Sequence, residues 1–322
     1  MLNTHATGEP HRSVAYGLGI QSYLPMPEFV PSEAEPDVTI RFERIAAPDP
    51  PSHLPPGTAY RAVYQTGDGV LMHWSPIGSF LVSGGRDVAV CPVDGADEGL
   101  LRMVLTGPAL AVLLAQRGEA VFHAGAVAHP VSGAGVAVAA RSGVGKSTMI
   151  TALHNAGFSL VADDILSVTL PEETSHEPLA VPGFPHAKLW RESAEALVAD
   201  PDSLVPLSSE TPKLARPITE RFAQAPVPLT CVFVLADGPE LLARRLSGHA
   251  AVGALLPHWY GACMNGQLMG VLGRERHLRE ATALAAAVRV YELTRPRVLE
   301  RLPEVVTMIR DVVERDGDGR CP

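Results

Sequence analysis

The stretch 138-VAARSGVGKSTMI-150 decides how the chain is interpreted. It holds most of the pattern G-x-x-x-x-G-K-[ST], in which backbone N–H groups surround a phosphate where a helix begins. The first position departs from that pattern, because Ala140 stands where glycine is usual. Ala140 would lie where the preceding strand ends, so it fits if its backbone angles are ordinary. Gly143 and Gly145 keep the tight curvature that the phosphate requires.

This segment, from Ala140 to Thr148, therefore predicts a phosphate-binding loop with defined roles. Lys146 is expected to neutralise the outer phosphates, and the Ser147 hydroxyl to join the shell of a magnesium ion. The alternative interpretation is a glycine turn that binds no ligand. The predicted nucleotide contacts are Ser142, Gly143, Val144, Gly145, Lys146, Ser147 and Thr148.

Lysine is scarce in this sequence. Of the 26 basic residues only three are lysines, Lys146, Lys188 and Lys213. The last two fall in loop-rich stretches that we expect to cover the site, where cations stabilise a transferring phosphoryl group. The alternative is two solvated surface lysines. Arg141 lies inside the loop, where it contacts an outer phosphate or points to solvent.

Composition limits the classes of function. The chain has 322 residues, of which 46% are hydrophobic and 19% charged, as in a soluble globular protein. Its net charge of −9 gives no electrostatic reason to expect nucleic acid or an anionic membrane as partner. The N-terminus lacks a signal-peptide pattern, and no stretch is expected to reach the length of a membrane span. We therefore expect a cytoplasmic protein.

The chain divides into segments of different pattern. In residues 1–95, short runs of alternating apolar and polar residues are separated by turn signals. This pattern predicts a β-rich subdomain of antiparallel hairpins. Residues 96–118 predict a bridging helix that Gly107-Pro108 breaks or kinks. Residues 119–316 alternate strand, loop and helix, as in an α/β domain, and 317–322 form a tail that we expect to be flexible.

A pair of carboxylates follows the loop at a short distance. Asp163 and Asp164 end the apolar run FSLVA. In a sheet whose strands run parallel, both would lie at the same edge as the phosphate loop. Two adjacent aspartates could then divide two tasks, accepting a proton and holding a metal. The alternative is two acids that simply face solvent.

The segment 123–168, HAGAVAHPVSGAGVAVAARSGVGKSTMITALHNAGFSLVADDILSV, resembles the catalytic core of bacterial HPr kinase/phosphorylase. The resemblance implies an α/β fold with a P-loop kinase core and an N-terminal antiparallel β-rich subdomain. It also implies that Asp163 is the general base acting on a serine hydroxyl, and that Asp164 supports the metal and phosphate. His123 would lie close to the transferred phosphate. The pattern of its strand alone fits a histidine of the protein core equally well.

Outside that core the chain departs from the family, because 180-AVPGFPHAKLW-190 lacks the glutamate and arginine found in the corresponding segment. Together with YGLGIQSYLPMPEF and RVYELTRPRVLERLPEVV, it resembles the HPr-kinase-related proteins of lasso peptide gene clusters. This second resemblance implies ATP and Mg²⁺ as cofactors and a precursor peptide with an acceptor serine at its C-terminus as partner. The N-terminal segment would then serve peptide recognition or assembly, and a homo-oligomer is possible.

Two other functions fit the sequence. One is a regulatory P-loop ATPase or GTPase whose output is a conformational change. The other is a kinase that acts on a small hydroxyl metabolite.

Overall fold

The computed structural model describes residues 9–55, 58–171, 177–262 and 266–317. Within them the chain forms a mixed α/β structure with three sheets. Apart from its first residue, the predicted tail 317–322 lies outside the described residues.

The first sheet contains eight short strands in the order β3-β1-β2-β4-β8-β7-β6-β5. Their bounds are β1 (His11–Ala15), β2 (Leu18–Ser22), β3 (Val30–Pro31), β4 (Val38–Phe42), β5 (Arg61–Gln65), β6 (Val70–Trp74), β7 (Gly78–Ser83) and β8 (Asp87–Pro92). The expectation of an entirely antiparallel sheet was wrong, because β4 pairs parallel with both β2 and β8. The connection from β2 to β4, residues 23–37, is long enough for the crossover that a parallel pair needs.

The bridging segment is helical and broken as predicted. Helix α1 (Glu98–Val104) and helix α2 (Leu110–Gln116) flank a wider turn in which Gly107 has non-helical angles, φ −119° and ψ −112°. The expectation that no stretch could span a membrane was wrong by length and composition, because Glu98–Gln116 has 19 residues and a mean hydropathy of 1.5. However, 72% of its apolar window is buried inside the protein.

The second sheet carries the predicted phosphate loop. Its strands are β9 (Ala120–Phe122), β10 (Ala124–Ala128), β11 (Gly135–Ala139), β12 (Ser159–Ala162), β13 (Leu166–Thr169), β14 (Leu179–Val181), β18 (Val227–Asp237), β19 (Leu242–Leu246) and β20 (Arg289–Arg295). Strands β11 and β12 both pair antiparallel with β10, so they run in the same direction. Their carboxyl ends therefore meet at one edge of the sheet.

A third, three-stranded sheet has the order β15-β17-β16. Its strands are β15 (His186–Trp190), β16 (Val205–Ser208) and β17 (Thr211–Pro217). Sequence patterns predicted only loops and one helix here, because prolines interrupt the alternation of these strands. The remaining helices are α3 (Lys146–Asn155), α4 (Arg191–Leu197), α5 (Gly248–Leu255), α6 (Met269–Leu272), α7 (Arg274–Ala287) and α8 (Leu302–Gly317).

Tyr16 ties the first sheet to the second. It is 5% exposed, and its hydroxyl donates a hydrogen bond of 3.0 Å to the carbonyl of Ile165, just beyond the two aspartates. Its backbone N–H donates to the carbonyl of Gly183. Burial, followed by the charges of Asp164 and Asp163, raises the pKa of Tyr16 well above its ordinary value, so the phenol stays protonated and donates. The predicted boundaries of the domains stay a prediction, since one apolar core joins the two sheets here.

We expect Tyr16→Phe to lower the free energy of unfolding by about 1–3 kcal/mol, because it leaves a buried carbonyl without its donor. The matched control is Tyr64→Phe, since Tyr64 is 42% exposed on the same sheet and should change stability by no more than about 0.5 kcal/mol. Urea denaturation measures both. Equal values for the two variants would contradict the structural role of Tyr16.

Candidate phosphate-binding site

The loop between β11 and α3 has the conformation that a phosphate loop needs. Gly143 and Gly145 have φ values of +80° and +103°, which side-chain-bearing residues rarely adopt. Gly145 begins helix α3, and no side chain caps that helix end among the described residues. Ala140 is fully buried, and the positive φ values among described non-glycine residues belong to Tyr16 and Arg221. Ala140 therefore does not have the positive φ that would require glycine at this position.

Two arginines at the end of β20, Arg295 and Arg297, contact the carbonyls of the loop. The guanidinium of Arg295 donates to the carbonyl of Val144, and that of Arg297 donates to the carbonyl of Gly143. Asp237 lies 4.0 Å from Arg295 and 3.8 Å from Arg297. A Cβ on Gly145 would lie 2.8 Å from the Arg295 guanidinium, so glycine permits this close approach. Sequence analysis missed these residues, although two arginines directly after a buried strand were a usable signal.

The loop also contacts the two aspartates. The Lys146 ammonium is 7% exposed and donates a hydrogen bond of 2.5 Å to the backbone carbonyl of Asp163. Gly125, on β10, allows this approach, because a Cβ there would collide with Ile150 of α3 and lie 3.0 Å from the same carbonyl. The lysine of the loop and the end of β12 are therefore fixed to each other.

Asp163 is buried and faces the serine of the loop. Its Oδ2 accepts hydrogen bonds from the Ser147 hydroxyl at 3.1 Å and from the backbone N–H of Lys188 at 2.9 Å. Its Oδ1 is buried and has no hydrogen-bond partner in the described part of the chain. An unpaired buried carboxylate oxygen is costly unless a ligand satisfies it.

Asp164 is surrounded by cations and an imidazole. Its Oδ2 lies 3.0 Å from the Lys188 ammonium, and its Oδ1 lies 3.4 Å from the Lys146 ammonium and 3.3 Å from Nδ1 of His123. Burial alone would raise the pKa of this carboxyl, but the charges of Lys188 and Lys146 outweigh burial and hold the pKa well below its ordinary value. Asp164 is consequently an anion throughout the physiological range.

His123 lies at the break between β9 and β10. Its backbone N–H donates to the carbonyl of His258 at 2.7 Å, which turns the chain so that the imidazole faces the site. Burial, and next the charge of Lys146, lowers its pKa to about 4. The imidazole is therefore neutral at pH 7, and its 3.3 Å contact with the Asp164 carboxylate is not an ion pair at that pH. His258, whose pKa is also lowered to about 4 by burial, was missed by sequence analysis.

All three lysines of the chain line one small cavity of about 60 Å³ with His123 and Asp164. Lys188 and Lys213 were expected on loops, but they lie on neighbouring strands β15 and β17, where Lys213 is opposite Trp190. The Lys213 ammonium lies 5.4 Å from the centre of the Trp190 ring, and burial, with the charges of Lys188 and Lys146, lowers its pKa. It forms no ion pair within the described residues.

The remaining predicted contacts lie around the same cavity. Arg141 and Ser142 are exposed and belong to its lining, and the positive charge of Arg141 helps to lower the pKa of His258. Thr148 lines the cavity too, with its hydroxyl hydrogen-bonded to that of Ser193 at 2.8 Å. The structure thus brings the residues that the sequence indicated to one cavity, with two exceptions. Val144 does not belong to its lining, and Asp163 is buried beside Ser147 instead of lining the cavity.

These residues fit a magnesium nucleotide. The positive-φ glycines and the uncapped helix end suit a phosphate, and the Ser147 hydroxyl beside the unpaired Asp163 oxygen is an oxygen donor set of the kind that Mg²⁺ prefers. No group of three or more His, Cys, Asp or Glu side chains with metal-binding geometry occurs in the described residues. Such a sparse set is expected for Mg²⁺, which usually binds one or two carboxylates plus substrate phosphates.

No protein-family model matches the chain, and no curated protein matches it. Among solved structures, it is similar to the HPr(Ser) kinase/phosphatase from Coxiella burnetii, with 12% sequence identity and a TM-score of 0.32. The match covers 61% of this chain and 98% of that chain. At this TM-score the similarity carries no argument about activity, so function has to be argued from the site.

We expect Lys188→Met to raise the pKa of the Asp164 carboxyl, because it removes the strongest of the charges that favour the carboxylate. The carboxyl group would then take up its proton at a higher pH than in the unaltered protein. Carbon-13 NMR titration of the aspartate carboxyl groups measures this change. Lys213→Met is the control and should give a smaller rise, since Lys213 forms no ion pair with Asp164; the reverse order would contradict the assigned contacts.

Proposed function

We propose that this protein is an ATP- and magnesium-dependent kinase that transfers a phosphoryl group to a serine hydroxyl. The observation that carries the proposal is the convergence of Lys146, Lys188, Lys213 and Asp164 on one cavity beside the phosphate loop. Phosphoryl transfer depends on positioning and on stabilising charge that spreads over the phosphoryl oxygens, and buried ammonium groups supply that stabilisation.

The geometry favours a division of labour between the two aspartates that reverses the one implied by the resemblance. Asp163 contacts Ser147 and has an unpaired oxygen, so this pair is suited to hold Mg²⁺, which would bridge and neutralise the phosphates of bound ATP. Asp164 faces the cavity, where an acceptor hydroxyl can reach it. Its low pKa makes it a weak base, yet in a loose transition state orienting the hydroxyl matters more than early proton removal.

His123 and Lys188 position Asp164. Nδ1 of the neutral imidazole lies 3.3 Å from Oδ1, and the Lys188 ammonium donates a hydrogen bond of 3.0 Å to Oδ2, so each carboxylate oxygen is contacted. Lys146 joins this carboxylate to the phosphate loop. The donor and acceptor sides of the reaction are therefore held by one connected set of side chains.

For the acceptor, we propose the C-terminal serine of a lasso precursor peptide. The proposal is supported by the resemblance of the flanking segments and by Lys213, whose ammonium lines the cavity without an ion-pair partner in the described residues. A terminal carboxylate beside the reacting hydroxyl would provide that partner. A small hydroxyl metabolite with an anionic group is the second candidate, because the same lysine would bind it.

The rival class is a regulatory ATPase or GTPase, and mass spectrometry separates it from a kinase. A kinase adds a phosphoryl group to an acceptor, whereas a switch releases only free phosphate. Deletion of residues 1–95 is a poor test of peptide recognition, since Tyr16 is part of the core beside the aspartates. A better test compares phosphoryl transfer to serine peptides with phosphoryl transfer to small hydroxy acids.

Replacement of each aspartate tests the division of labour. Asp164→Asn should lower phosphoryl transfer by about 100-fold or more while ATP affinity stays within about threefold, because only the acceptor side loses its carboxylate. Asp163→Asn should instead raise the Mg²⁺ concentration needed for half-maximal ATP binding by about tenfold or more. Product mass spectrometry and calorimetric titration measure these effects.

Asp87→Asn is the matched control, because Asp87 pairs with Arg41 on the surface of the first sheet. It should change neither quantity. Full turnover in Asp164→Asn, or an unchanged Mg²⁺ requirement in Asp163→Asn, would contradict the proposed roles.

A further inference from the structure

A second, larger cavity lies on the other side of the phosphate loop. Its volume is about 360 Å³, against about 60 Å³ for the cavity that holds the lysines. We call it the outer cavity. Its walls are the phosphate loop, the junction of β15 with α4, and the segment that joins β20 to α8. Both cavities share Gly143, Gly145, Thr148 and Trp190 in their linings, so they meet at the loop.

The two cavities differ in chemistry. Lys146, Asp164, Lys188 and Lys213 belong to the small cavity and are absent from the lining of the outer one. A nucleotide whose phosphates follow the loop must place its reacting end near those side chains. The other end of the nucleotide then extends past Gly143 and Thr148, which is where the outer cavity opens.

The walls of the outer cavity suit a flat, partly apolar group. Trp190 is 46% exposed and Val298 is 45% exposed, so both present apolar surface to this cavity. Leu302 and Val305 of α8 provide a buried apolar surface in the same cavity. A purine or pyrimidine base gains stability by stacking on an indole ring and packing on aliphatic groups.

Polar groups stand at the edge of this apolar surface. Glu192, in the first turn of α4, is exposed and lines the cavity, where its carboxylate can accept hydrogen bonds from ribose hydroxyls. Arg295 and Arg297 belong to the same wall and hold the carbonyls of the loop. An apolar cavity with a few placed polar groups is the usual form of a cofactor site.

The geometry points to the outer cavity as the binding site for the nucleoside half of the donor nucleotide. The base packs against the Trp190 ring and the Val298 side chain, and the ribose lies toward Glu192. This inference rests on the proposed function, because it takes the phosphate loop as the site of the triphosphate. Beyond that function, the inference assigns the surface of the protein that binds the base.

Val298→Asp tests the inference with two probes, ATP and inorganic tripolyphosphate, each titrated calorimetrically with Mg²⁺ into the full chain. A carboxylate at this position should weaken ATP binding by roughly tenfold, since stacking and apolar contacts with a base contribute that much. Tripolyphosphate has no base, so its affinity should change by less than about twofold. Val298→Leu keeps the apolar wall and should retain ATP affinity.

Val131→Asp is the matched control, because Val131 is 89% exposed between β10 and β11, away from both cavities. It should bind both probes normally. Equal ATP affinity in Val298→Asp and the unaltered protein would overturn the inference, as would tripolyphosphate binding as tightly as ATP. If the unaltered protein bound neither probe, the proposed function itself would fail, and the inference with it.

Discussion

The site depends on one contact, the buried Lys146 ammonium between the backbone carbonyl of Asp163 and the carboxylate of Asp164. It joins the beginning of α3 to the end of β12, although 17 residues separate Lys146 from Asp163. Around it, Ser147 is held by Asp163, and Asp164 is held by Lys188 and His123. A buried ammonium requires such partners, and the partners in turn fix the geometry of the loop.

The first sheet contributes to this arrangement from outside the sheet that carries the loop. Tyr16 has a positive φ, which is unusual for a residue with a large side chain, and it reaches the carbonyl of Ile165 directly behind the aspartates. Gly183 gives the ring room, because a Cβ there would lie 3.1 Å from it. Tyr16 of the first sheet's β1–β2 turn therefore helps to support the site.

Local sequence was sufficient to predict the loop, the helix that follows it, and the position of the two aspartates, because each has a short-range sequence pattern. Gly143 and Gly145 signal the turn, and an apolar run signals the strand before Asp163. The kink at Gly107-Pro108 was predictable for the same reason. The parallel pairing of β4 and the strands that carry Lys188 and Lys213 were not, since they depend on contacts between distant segments. Likewise, no local pattern shows that Tyr16 reaches the site.

The central claim is that the loop binds a magnesium nucleotide through Lys146. Calorimetric titration of ATP with Mg²⁺ tests it most directly, in the unaltered protein and in Lys146→Met, with far-UV circular dichroism to check that the variant is folded. The account predicts saturable one-to-one binding that weakens by about 100-fold or more in the variant, because a buried cation that contacts phosphate oxygens is lost. Absence of binding to the unaltered protein, or equal affinity in a folded variant, would contradict it.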